Sequence, residues 1–279
     1  MEGTTVVAAV SAASQAASSG AEALSGASQL PRTGLALVLD KVDYFIMVPM
    51  VYLALAFFVV AVALKAAKIL RAGPPPFQLA LYPAPKRPFL AALRDAFGMP
   101  QIRKREPLFW LSLVTYHVGF LLLVLGHLDI LPSVNLVPPE SRDMLGAGAV
   151  GLMVTLPTFY FLGRRFKGTN RAISTPGDYL LLLLLLFLFL LGDLMSWGNS
   201  WTANGFVMTK ADFSAYFESL ARFTFADPRT VLHGSHYHFA VLHVLLANLL
   251  FVTLPFTKVV HAFFSIPLNL VRRKTWAKG

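Results

Sequence analysis

Long apolar runs separated by short basic or polar stretches set the pattern of this chain from about residue 43 onward. Five of them reach the roughly 20 mostly apolar residues that a helix needs to cross a bilayer. They are Asp43 to Leu64, Leu108 to Leu128, Met144 to Leu162, Gly177 to Met195 and Phe239 to Phe264. No sixth run comes close. Hydrocarbon offers no partner to a free backbone N–H or C=O, so each run predicts an α-helix, even where Phe and Val would favour strand in water. Pro49, Pro157 and Pro255 fall inside or near the ends of these runs and predict local bends. The expected architecture is an all-α integral membrane protein, a five-transmembrane-helix bundle occupying residues 40–279.

Three segments lie outside the runs. Residues 1–39 are rich in Ala, Ser and Gly with almost no charge, which predicts a disordered or loosely packed external tail. The tail has no basic start followed by an apolar stretch, so a cleaved signal peptide is not expected and the first span directs insertion. Ala72 to Pro107 contains Pro74 to Pro76 and a short amphipathic helix over Pro88 to Phe97, suited either to docking a cytoplasmic partner or to lying at the lipid interface. Ser196 to Tyr237 is expected to be a long external loop, whose Trp197, Trp201, Tyr216 and several Phe residues suit an interfacial aromatic belt or a binding role.

Composition agrees with a bilayer. Of the 279 residues 56% are hydrophobic and 14% charged, and the mean hydropathy is +0.62, beyond what a soluble domain ordinarily carries. The net charge of +10 does not indicate nucleic-acid binding, because the basic residues lie between apolar runs rather than on one face of a soluble domain. They report topology instead, since basic loops stay on the cytoplasmic side. Lys65, Lys68, Arg71, Lys86, Arg87, Arg94, Arg103, Lys104 and Arg105 join the first two spans, and Arg164, Arg165, Lys167 and Arg171 join the third and fourth. Lys258, Arg272, Arg273, Lys274 and Lys278 belong to the carboxyl-terminal part. Eighteen of the 24 basic residues thus share one side with only Asp95, Glu106 and Asp178 of the 14 acids. The amino terminus is expected outside and the carboxyl terminus in the cytoplasm of a bacterial or archaeal inner membrane. The absence of cysteine excludes disulfides and cysteine-ligated iron–sulfur clusters within the chain.

The seven histidines are grouped. His117 and His127 lie on the second span, His243 and His261 on the fifth, and His233, His236 and His238 just ahead of the fifth. Ionisable residues within spans are rare and by default indicate function, although a single histidine can serve packing between helices. Antiparallel second and fifth spans bring His127 level with His243 near the outer face and His117 level with His261 further in. At 1.5 Å per residue the separations are about 15 Å on the second span and about 27 Å on the fifth, a mismatch of about 12 Å that tilt and a bend at Pro255 must absorb. Eighteen residues make five whole turns, whereas ten leave His117 about 80° from His127. Paired imidazoles on facing helices suit a low-spin haem iron, filling both axial positions and leaving none for oxygen or substrate. Gly119 and Gly126 would admit a porphyrin or close helix packing. Two b-type haems, His127 with His243 and His117 with His261, are the expected cofactors. Competing classes are a histidine relay in a proton channel or transporter, and a passive membrane anchor. No side chain suggests itself for bond-making catalysis.

Tyr116-His117-Val118-Gly119 with Gly126-His127, the stretch Arg171 to Asp178, Leu242-His243, and Pro255-Phe256-Thr257-Lys258-Val259-Val260-His261 together resemble the membrane-anchoring cytochrome b gamma subunit of respiratory nitrate reductases and its relatives. The resemblance runs from the second span onward. It implies the same two haem pairings, exchange with menaquinone or ubiquinone near the outer haem, and a cytoplasmic iron–sulfur redox subunit as partner. The external tail and the Pro-rich loop from Ala72 to Pro107 depart from a plain nitrate reductase gamma subunit. They leave room for a related assembly, such as the transmembrane electron-transfer complexes of sulphate reducers or a heterodisulphide-reductase-like complex, with an external multihaem cytochrome c as an alternative to quinone. His233, His236 and His238, spaced H-x-x-H-x-H, are candidates to bind zinc, to line the quinone site or to bond haem propionates.

Overall fold

A computed structural model of the chain describes residues 34–71, 86–131, 134, 136, 148–201, 210–232, 236–258 and 261–274. Most of the expected tail, Pro74 to Pro76, Met144 to Ala147 and His233 lie outside the described residues. Two compact units are distinguished, Met1–Tyr44 and Phe45–Gly279. Of the first, the described part is helical and belongs to α1 (Gly34–Met47).

In the second unit the helices are α2 (Pro49–Arg71), α3 (Pro88–Leu93), α4 (Pro100–Arg105), α5 (Pro107–Leu128), α6 (Ala149–Arg165) and α7 (Gly168–Ile173). They continue with α8 (Pro176–Trp201), α9 (Lys210–Ala221), α10 (Tyr237–Thr253) and α11 (His261–Lys274). Five of them, α2, α3, α4, α5 and α8, open on proline. Proline suits a first turn, where its missing N–H would have had no helical partner and its fixed φ is already helical. No strand occurs among the described residues.

Among the described residues four helical stretches are long and apolar enough to cross a membrane: Gly34–Ile69, Pro107–Leu128, Pro176–Gly198 and Tyr237–Phe256. Leu53, Val59 and Leu64 on α2, Leu121 on α5, and Leu180 and Phe187 on α8 point outward and exposed, as lipid-facing side chains do. The predicted run Met144 to Leu162 corresponds to α6, whose 17 described residues fall short of that length.

Helix α5 packs on α6, α6 on α8, α8 on α10, and α10 on α2. Their shared core is Val154, Leu185, Leu188, Phe189 and Leu250, with Tyr116, Leu123 and Leu246 against it. Small residues set the close approaches. A Cβ on Gly119 would come 2.7 Å from the Met153 Cβ, and one on Gly151 would run into the Asp193 carboxylate. Where Pro49 interrupts the α1–α2 stretch, the buried Asn248 donates to the Ile46 carbonyl at 3.0 Å, supplying a partner that the broken helix lacks.

Two expectations change. The run Phe239 to Phe264 is not one helix: α10 ends at Thr253, a 3₁₀ turn covers Leu254–Phe256, and Thr257 is extended with ψ 170°. Pro255 has no N–H to continue the α-helical ladder, and its ring crowds the preceding turn. His243 and His261 therefore lie on different helices. The segment Ser196 to Tyr237 also holds more than a loop, since α8 runs on to Trp201 and α9 forms within it. Helix α9 is tied to the first span by Tyr216 Oη donating to Met47 O at 2.5 Å and Tyr52 Oη donating to Leu220 O at 2.9 Å. The expected amphipathic helix over Pro88 to Phe97 is present as α3 followed by a π turn, Arg94–Gly98.

Candidate functional site

Three of the four span histidines are held the same way. His117 Nδ1 lies 2.7 Å from Leu113 O, His127 Nδ1 lies 2.8 Å from Leu123 O, and His261 Nδ1 lies 2.8 Å from Lys258 O. A carbonyl oxygen can only accept, so in each neutral ring Nδ1 carries the proton and Nε2 keeps a bare lone pair. That is the state in which an imidazole ligates a metal, and the carbonyl bond fixes the ring's orientation and raises the basicity of Nε2. His243 differs. Its Nδ1 is buried without a hydrogen bond of good geometry, although the Leu188 carbonyl is near enough to act on the ring.

Two of the rings come together. His117 and His261 have ring centres 6.1 Å apart with planes inclined at 70°. An imidazole nitrogen bonds a first-row metal at about 2 Å and the ring centre lies about 1 Å behind it, so two rings on opposite sides of one metal stand roughly 6 Å apart.

A flat macrocycle is one group that two such rings could hold. Among the described residues no group of three or more His, Asp or Glu side chains is placed to hold a metal ion. A porphyrin supplies four ligands itself and asks only two of the protein. Among the described residues α5 and α10 do not form a packed pair of the kind that joins α5 to α6 or α8 to α10, which leaves width between these histidine-bearing helices. A Cβ on Gly126, beside His127, would meet nothing within 4 Å, whereas Gly119 is used against α6. On α8, Gly192 lets the His243 ring approach, with Cε1 3.4 Å from where a Cβ would stand.

The other histidines are only partly described. His236 immediately precedes α10, without a side-chain capping bond, and stacks on Phe239 at 6.0 Å, and His238 meets Tyr237 edge to face. Both are exposed. With His233 outside the described residues, the three are not seen as a group.

Two acidic residues escaped the sequence reading. Asp193, on α8 next to Gly192, is buried and accepts from Thr155 Oγ1 at 2.8 Å. Its signal was present, since an acid in the middle of an apolar run is costly and rarely idle. Asp178 was read only as a cytoplasmic charge, yet it is buried and bonded to Lys258 at 2.8 Å, three residues before His261.

Residues 99–277 match the family model for the nitrate reductase gamma subunit. No curated protein matches the chain.

Proposed function

Because the chain belongs to the nitrate reductase gamma subunit family, we propose that it is the dihaem cytochrome b membrane subunit of an anaerobic respiratory complex. It carries electrons across the cytoplasmic membrane between the quinone pool, or an external cytochrome c, and a cytoplasmic iron–sulfur subunit. The observation that carries this reading is the His117–His261 pair, with ring centres 6.1 Å apart and both Nδ1 atoms committed to backbone carbonyls.

In this reading five spans cross the bilayer, α6 among them, with the amino terminus outside. His127 and His243 hold the outer haem and His117 and His261 the inner one. When bound, each haem would supply a one-electron carrier held by its two histidines. The protein's part is to fix the rings through Leu113, Leu123 and Lys258, and to keep water out with the leucine and phenylalanine side chains of α5, α8 and α10. On the outer side His236 and His238, with His233, accept protons released as quinol is oxidised. On the inner side electrons leave through another protein, since the chain has no cysteine with which to bind a cluster.

A pyridine haemochrome assay and a reduced-minus-oxidised spectrum test the reading. Two haems per chain and a strong b-type α band are expected. One haem or none would defeat it, and a spectrum without that band would favour a proton relay or a passive anchor.

A further inference from the structure

Asp178 is engaged beyond what a helix-capping carboxylate requires. It stands three residues after Thr175 at the start of α8, and its Oδ2 accepts from Thr175 N at 2.9 Å and Thr175 Oγ1 at 3.1 Å, the carboxylate half of a capping box. The same oxygen accepts from Lys258 Nζ at 2.8 Å, with Arg165 Nη1 at 3.8 Å. The carboxylate is buried, so these donors replace water, and losing one leaves a desolvated charge short of a partner.

Lys258 is where this matters. It lies in the break between α10 and α11, where Thr257 is extended and no helical ladder holds the chain. Its own carbonyl receives the His261 Nδ1–H at 2.8 Å. On the opposite flank Lys65 Nζ donates to Pro255 O at 3.1 Å. The short linker is thus moored by side chains from α2 and α8, and the orientation of the His261 ring depends on where the linker's carbonyl sits. We propose that Asp178 is a positioning residue for His261: its ion pair with Lys258 fixes the backbone carbonyl that sets the ring's orientation, and hence the electronic state of the inner haem. The proposal rests on the reading that His261 is an axial ligand.

The bland alternative gives Asp178 only the capping of α8 and Lys258 only the positive-inside bias. Lys258→Met separates the two, because it removes the tie and leaves the Thr175–Asp178 cap intact. The measurement is made on the purified two-haem protein: the low-spin ferric EPR signal and the midpoint potential of each haem, with haem content and melting temperature alongside. His261→Ala first identifies the inner haem's signal as the one lost. If that variant keeps both haems, the ligand reading fails and the proposal falls with it.

With the assignment secure, Lys258→Met and Asp178→Asn should each shift the largest g value and the potential of the inner haem while leaving the outer haem's unchanged. The double variant should shift them no further than either single, and Asp178→Glu should return them most of the way. Should Asp178→Asn not accumulate, the Lys258→Met result still decides. An inner-haem signal and potential unmoved in Lys258→Met, at full haem content, overturns the proposal. Equal shifts of both haems would overturn it too, because they would mark a general loosening of the bundle.

Discussion

The rings of His117 and His261 stand edge to face with centres 6.1 Å apart and nothing in their own chemistry to draw them together. Each has committed its Nδ1–H to a backbone carbonyl, so what each neutral ring has left is an Nε2 lone pair. Two acceptors cannot hydrogen-bond to one another. Placing two such lone pairs on separate helices at this spacing makes sense when an electron-pair acceptor lies between them. A transition-metal ion in a macrocycle meets that need, because it asks for two axial nitrogens and brings the other four ligands itself.

The pairing gives a pattern of losses. His117→Ala and His261→Ala should each remove the same haem, and His127→Ala and His243→Ala the other, so every single variant falls from two haems per chain to one. Redox titration should then show one potential surviving in the first two variants and the other potential in the second two. Any different grouping of the four would refute the assignment of pairs.

A second prediction concerns the α6–α8 contact. Thr155 Oγ1 donates to the buried Asp193 at 2.8 Å, and Gly151 leaves room for the carboxylate. Thr155→Val keeps the shape and removes the donor, so Asp193 is left unsatisfied at a cost of about 1–3 kcal/mol. Gly151→Ala should cost a similar amount, about 1–3 kcal/mol, by forcing the carboxylate aside. Both should lower the detergent-solubilised melting temperature, and Thr155→Ser should restore it. Melting temperatures equal to the parent's in both variants would show that this contact contributes nothing.

The histidines and most of the spans were legible in the sequence because the bilayer imposes blunt rules. About twenty apolar residues cross it, and an imidazole inside it calls for a reason. The unequal spacings on the second and fifth spans, about 15 Å against about 27 Å if both were continuous helices, posed a difficulty that came from assuming continuity. Lys258 within the run Phe239 to Phe264 was the signal of the break, whereas Pro255 alone predicts a bend as readily as an end. Once α10 stops at Thr253 and α11 starts at His261, the spacing is no longer fixed by helical rise. The order of packing, α5 to α6 to α8 to α10 to α2, was likewise invisible, since apolar faces carry no address. Gly119 could be read for a porphyrin or for packing, and only the position of Met153 decides for packing. Helix α9 was missed because its apolar content is modest and it lies in an aromatic-rich segment that also suits a membrane belt.

His236 and His238 are exposed beside the start of α10, which in the proposed orientation lies on the outer side, where an exchangeable quinol would meet the proposed outer haem. If they and His233 take up its protons, replacing all three with alanine should slow haem reduction by a quinol analogue by about 10²-fold or more, the usual scale of general-base catalysis. Haem content and reduction by dithionite should be unaffected. Unchanged quinol-driven rates would move the proton acceptor elsewhere.

The last prediction is for the cytoplasmic face. Helix α4 carries Arg103, Lys104 and Arg105, all exposed, and it is braced rather than loose. Trp110 donates to Gly98 O at 3.0 Å, Arg103 lies over the Trp110 ring, and Arg164 pairs with Glu106 at 2.6 Å. A braced basic platform suits an acidic patch on the proposed iron–sulfur subunit, and such steering acts chiefly on association rate and weakens with salt. Reversing all three residues to glutamate should abolish co-purification of that subunit and stop haem reoxidation by it, with membrane insertion and haem content retained. Because Arg103 also rests on Trp110, the pair Lys104→Glu and Arg105→Glu is the cleaner variant, and it should lose most of the binding without loosening α4. Raising the ionic strength should release the partner from the parent protein in the same way. If the partner stays bound to the triple variant and reoxidises the haems at the normal rate, the docking surface lies elsewhere, and the charges on α4 serve topology alone.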